Sequence, residues 1–91
     1  MSDKTKQFSI GNTNENEIRS IMLITYNALK EKGYNPISQI VGYILSEDPT
    51  YITTHNNARN LIRRVDRFEL LQILLRDYIN AGSSDGFENI G

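Results

Sequence analysis

Arg59, Arg63, Arg64 and Arg67 crowd one short stretch of the chain, and Arg59 and Arg63 stand one helical turn apart on a common face. A guanidinium fork grips phosphate through paired hydrogen bonds. The cluster is therefore a candidate phosphate or partner contact, able to meet nucleic-acid phosphates or a phosphorylated side chain. The plainer alternative is a solvated face paired with Asp66, Glu69 and the acids of the first helix. His55, the one histidine, lies between Thr54 and Asn56 near a helix start. Nucleophilic catalysis requires an oriented base beside a hydroxyl or thiol, and the surroundings of His55 read instead as those of a solvated or capping ring. No glycine-rich phosphate loop, His-Glu-x-x-His pair or calcium-loop spacing occurs. Zinc sites draw on cysteines or several histidines, and the chain has no cysteine. Neither catalysis, nor a cofactor, nor a metal is expected.

A second kind of chemistry is offered by the N-terminal segment, where Ser2, Thr5, Ser9 and Thr13 supply hydroxyls. Thr5 stands between Lys4 and Lys6 in a stretch with no predicted structure, the setting a protein kinase needs. A phosphate there adds about −1.5 to −2 charges, which the arginine face could receive.

The elements that must position these residues follow from local signals. Residues 1–14 carry few sizeable apolar side chains and cannot repay the entropy of ordering alone, so a flexible tail is expected. Asn14 with Glu17 forms a capping box, and Glu15 and Glu17 suit the positive end of a helix dipole. Ile18, Ile21, Met22, Tyr26 and Leu29 mark one face of a helix over about 15–32, and Leu23 and Ile24 widen it toward burial on two sides. Gly33 is placed to adopt the left-handed conformation that ends it, with Tyr34 folding back on Leu29.

Asn35-Pro36 is a cap followed by the residue best suited to a first helical position. Ile37, Ile40, Val41, Ile44 and Leu45 then keep helical spacing without a miss. Gly42 interrupts this helix at about 1 kcal/mol against alanine, and either permits close backbone approach, the reading favoured, or is simply tolerated. Ser46 to Pro49 closes it. Thr53 or Thr54 caps a third helix with Ala58, Leu61, Ile62 and Val65 on its buried face. Asp66 with Glu69, flanked by Val65 and Leu70, gives a capping box and a hydrophobic staple for a fourth. Leu71, Leu74, Leu75, Tyr78 and Ile79 supply its main face, and Phe68, Leu70 and Ile73 spread around the cylinder. Gly82 ends it before a Gly/Ser-rich tail over 83–91.

The chain is thus read as all-α: a compact bundle of about four short helices over 15–82, with flexible N- and C-terminal tails. Ninety-one residues, 38% of them hydrophobic, suffice for one domain and one modest core. A domain this small commonly needs reinforcement. With disulfides and zinc excluded, a partner subunit remains, and the apolar excess on the first and fourth helices points to a homodimer. The net charge of −1 gives no field for holding nucleic acid or an anionic membrane. The longest apolar run, Ile21 to Ile24, is far short of a bilayer span. With no secretory pattern at the start, the expected compartment is the cytoplasm, without membrane insertion. A helix-turn-helix DNA reader formed by the second and third helices is the alternative. The long link from Ser46 to Thr53 and the balanced charge speak against it.

Three stretches sharpen the reading: Glu31-Lys-Gly-Tyr-Asn-Pro-Ile-Ser-Gln-Ile-Val-Gly-Tyr-Ile-Leu-Ser46, Asp48-Pro49-x-Tyr51-Ile52, and His55-Asn-Asn-Ala-Arg-Asn-Leu-Ile-Arg63. Together they resemble the IreB regulatory phosphoprotein family of Gram-positive bacteria, over about residues 22–80. The resemblance implies a small helical cytoplasmic homodimer whose N-terminal threonines are substrates of a membrane Ser/Thr kinase with extracellular PASTA domains, opposed by a phosphatase. It further implies negative regulation of the response to cell-envelope stress, including cephalosporin resistance, through a protein target that the family does not specify. Carried over by position, the phosphoacceptors fall on Thr5, three residues before Phe8, and on Ser2. Glu47 stands where the family often has glycine, and Thr53 where proline is frequent.

Overall fold

Side-chain caps start three of the four helices where the local signals place them. The computed structural model describes residues 14–82. Both expected tails therefore lie outside the described residues, with Ser2 and Thr5 in them, except for Asn14. The Asn14 side chain accepts the Glu17 N–H at 2.8 Å and opens α1, Glu15–Glu31. At its far end Gly33 is left-handed, with φ 86°. The Gly33 N–H donates to the Lys30 carbonyl and the Tyr34 N–H to that of Leu29, each at 3.0 Å. This doubled closure satisfies the carbonyls that a helix end leaves unpaired. Asn35 accepts the Ser38 N–H at 3.0 Å ahead of Pro36 and opens α2, Pro36–Ser46.

Beyond α2 the backbone turns sharply. Glu47 is held left-handed at φ 64°, a conformation that costs a residue with a Cβ about 1–2 kcal/mol; glycine there would escape the cost. A 3-10 turn over Pro49–Tyr51 follows, capped by Asp48. The Asp48 carboxylate accepts from the Thr50 hydroxyl at 2.7 Å and from its N–H at 3.0 Å. Those bonds, the hydroxyl's first, hold the carboxyl below its ordinary range. The turn lies against α2: Gln39 Nε2 donates to the Tyr51 carbonyl at 2.9 Å, and a Cβ added at Gly42 would stand 2.5–2.9 Å from the Tyr51 ring. Close approach is therefore the reason for glycine in mid-helix.

The third helix differs from the sequence reading. Neither threonine caps it: Thr53 Oγ1 accepts the His55 N–H at 3.1 Å, and Thr54 makes no side-chain cap. Asn56 and Asn57 are both left-handed, with φ of 55° and 63°. They split the segment into a 3-10 turn over His55–Asn57 and α3, Ala58–Ile62, five residues long. Asparagine tolerates this region better than other side chains with a Cβ. At the last corner Asp66 accepts the Glu69 N–H at 2.9 Å, and Val65 and Leu70 are both buried. The fourth helix, α4, is Arg67–Gly82.

The core gathers around α1, which packs against α2, α3 and the turn before α3. Ile18, Ile21, Ala28 and Leu29 meet Ile40, Tyr43 and Ile44 of α2, with Ile52, Ala58, Ile62 and Val65 from the later segments. Full burial of each aliphatic side chain contributes about 1.5–3 kcal/mol. Among the described residues Thr25 is the one buried polar residue, and its Oγ1 has no hydrogen-bond partner there. The described residues are thus all-α, as the sequence indicates. No helix among them is long and apolar enough to cross a membrane.

Candidate functional site

Most of the arginine cluster is engaged within the fold. Arg59 Nε donates to the Ile52 carbonyl at 2.7 Å, and Arg64 Nη2 to Glu17 Oε2 of α1 at 2.8 Å. Arg67 Nη1 donates to the Ile44 carbonyl at 2.6 Å, while its Nη2 pairs with Glu47. A cation at the last turn of α2 meets the negative end of that helix, so Arg67 ties the start of α4 to the end of α2. Arg63 is exposed and makes no ion pair or side-chain hydrogen bond among the described residues. The helix-turn-helix alternative loses its geometry here. A five-residue α3 spans only about 7.5 Å, too little for a recognition helix, and Arg59 folds back onto the preceding turn.

His55 is also engaged. Its Nε2 lies 2.7 Å from Glu31 Oε1, joining the last turn of α1 to the turn before α3. The ring thus has a partner that positions it, and among the described residues no nucleophile that it could activate is bonded to it.

The apolar side chains left uncovered are the more conspicuous feature. On α2, Ile37, Val41 and Leu45 form an exposed stripe, with Leu45 at 80%. On α4 the stripe expected to be the main face points outward: Leu71, Leu75, Tyr78 and Ile79 are exposed, with Phe68 beside them. The helix instead uses Leu70 and the half-buried Ile73 to meet the core. These two positions lie across the helix axis from Phe68, Leu75 and Ile79, because each residue advances the helix by 100°. Between α1 and α4 runs an open groove of about 480 Å³ lined by Ile18, Met22, Leu23, Leu70, Ile73 and Leu74. Charged side chains flank it and pair off across it. Arg76 bonds to Glu15, and Arg19 lies 4.0 Å from Asp77. The hydrogen bond from Arg76, aided by its charge, holds the Glu15 carboxyl below its ordinary range.

A molecule with this distribution of apolar surface and no assembled reaction centre among its described residues is suited to binding other macromolecules. Comparison with known proteins bears on which kind. The family model for the IreB regulatory phosphoprotein matches residues 3–80. The chain belongs to the IreB family. A UPF0297 protein of Ruminiclostridium cellulolyticum is 53% identical over 77 residues, covering 85% of this chain and 88% of the relative. A UPF0297 protein of Acetivibrio thermocellus is 56% identical over 77 residues, covering 85% and 86%. The IreB match reaches into the N-terminal segment that carries Thr5, beyond the three stretches that suggested it, and IreB membership gives the chain a regulatory role.

What sequence reasoning missed was the direction of the apolar stripes and the polar gap at Thr25. A signal for Thr25 was present: it continues the spacing of Ile18 and Ile21 toward Ala28, which puts it on the buried face. No comparable local signal tells which stripe of a helix apolar on several sides will be covered.

Proposed function

We propose that this chain is a non-enzymatic cytoplasmic regulator that acts through protein contacts and is controlled by phosphorylation of Thr5, with Ser2 as a second acceptor. A membrane Ser/Thr kinase with PASTA domains modifies it and a phosphatase reverses the modification. In the unmodified form it restrains the cell-envelope stress response, including cephalosporin resistance, by binding a downstream protein. It works as a homodimer. The observation that carries this reading is the outward apolar face of α4, Phe68, Leu71, Leu75, Tyr78 and Ile79, in a member of a family of regulatory phosphoproteins. An uncovered face of this kind marks an interaction site, and burying two or three such side chains contributes about 1.5–3 kcal/mol each. Arg63, exposed and unpaired among the described residues, is the best placed of the four arginines for a phosphate or partner contact.

The test is phosphosite mapping by mass spectrometry after incubation of the full chain with the kinase. Modification is expected at Thr5 and is abolished by Thr5→Ala. Absence of phosphate at Thr5 in the unaltered chain would overturn the reading. Sedimentation of the Leu75→Asp variant tests the dimer in the same samples: a monomer is expected, and an unchanged dimer removes the α4 face from the interface.

A further inference from the structure

We infer that the second half of α4 is a movable wall of the α1–α4 groove: it opens and loses its helix while the hub stays folded, with the charged pairs across the groove as its clasp. Burial is uneven among the helices. Along its whole length α1 buries Ile18, Ile21, Thr25, Ala28 and Leu29, and α3 buries Ala58 and Ile62 within five residues. On α4 the buried side chain is Leu70, with Ile73 half-buried after it, and every residue over 74–82 is exposed.

The sequence explains the change. Residues three and four apart share one side of a helix, so the line that begins with Leu70 and Ile73 continues through Asp77 and Asn80. The side turned to the hub is therefore apolar in the first two turns and polar after them. Charges face α1 there: Arg76 bonds to Glu15, and Arg19 lies 4.0 Å from Asp77. The side chains of these pairs are 43–65% exposed, and pairs so open to water hold a segment only weakly. Leu75 and Ile79, the apolar remainder, lie across the helix axis and gain nothing from α1. Helices shorter than about 12–15 residues are marginal in water without a covered face. Leaving α1 thus also costs the segment its helix, and it uncovers Ile18 and Met22 of the opposite wall. A partner that covers Leu75 and Ile79 supplies the burial that the hub does not, keeps the segment helical and so holds the wall in place. The outer face and the groove are coupled through the folding of one segment.

The test is residue-resolved hydrogen exchange of the full chain at a concentration where it sediments as a monomer. Amides over 75–79 are expected to share one level of protection, at least about tenfold below that of amides over 21–29. Arg76→Gln leaves the start of α1 unaltered and is expected to lower the shared level by a further factor of about two to five, with 21–29 unchanged. Equal protection in the two segments would overturn the inference. So would protection that declines steadily toward Gly82 and ignores Arg76→Gln, the mark of ordinary end fraying. The absence of cysteine allows a check on the opposite wall. The unique thiol of Ile18→Cys is expected to react with a maleimide faster by the same factor once Arg76→Gln is added, whereas that of Leu29→Cys, inside the hub, keeps its rate. Two thiols that react at one rate, both indifferent to Arg76→Gln, would assign their exposure to global unfolding and overturn the inference as well. Neither phosphate nor kinase enters these measurements, so their failure leaves the phosphorylation reading intact, and the converse holds.

Discussion

The hub around α1 and the outer half of α4 are built from the same kinds of residue and meet opposite fates. In the hub, Ile18, Leu29, Ile52 and Ile62 are buried to 2% exposure or less. Along α4, Leu75, Tyr78 and Ile79 remain more than half exposed, although their spacing is as regular as any in the chain. Regular spacing thus identifies a helix and its apolar stripe, whereas burial depends on which other segments come near. The hub is surrounded by α2, α3 and two turns. Among the described residues, the part of α4 that carries Leu70 to Asp77 has α1 beside it, across a groove.

The sharpest test of that contrast replaces one leucine from each region. Leu29→Ala is expected to destabilise the fold by about 2–5 kcal/mol in chemical denaturation, since it removes transfer energy and leaves a cavity. Leu75→Ser is expected to shift the same transition by less than about 0.5 kcal/mol at protein concentrations where the chain is monomeric. Equal losses would erase the distinction between hub and outer helix.

A smaller effect of opposite sign is expected inside the hub. Thr25→Val keeps the shape and removes a buried hydroxyl with no partner among the described residues, so the thermal midpoint should rise, with a gain of about 1 kcal/mol. A loss would reveal a bond that Thr25 makes under solution conditions.

The smallest effect lies at the α1–α4 edge and is visible only through pH. Arg76 depresses the Glu15 carboxyl in the folded chain. The contribution of the pair is complete above the unfolded chain's carboxylate range and is lost as pH falls through the folded value. Glu15→Gln should remove that small contribution above the carboxylate range, leave the acid limit unchanged, and so flatten the acid side of the stability profile. An unaltered acid limb would show that the pair is too solvated to matter.

How much of this was legible in the sequence depends on the range of the interaction concerned. The caps at Asn14, Asn35 and Asp66 and the closure at Gly33-Tyr34 act within six residues, so residue types at fixed offsets reveal them. Gly42 was legible as a close approach, though not that the Tyr51 ring makes it. The arginines were legible as a cluster, but their acceptors, Ile52, Glu17 and Ile44, come from other elements that only the fold brings near. The shortness of α3 was hidden because two adjacent left-handed asparagines can equally be read as cap and first turn. The position of Thr5 on an accessible segment is a matter for the phosphosite measurement, since that residue lies outside the described ones.

Glu47 combines two opposing demands. Its backbone would relax as glycine, yet its carboxylate is what Arg67 grips beside the end of α2. The joint between α2 and α4 is therefore partly ionic, and added electrolyte screens it, whereas strongly hydrated salts such as sulfate reinforce the apolar hub. Sulfate thus acts on the two halves of this small protein in contrary senses, loosening the latch while tightening the centre.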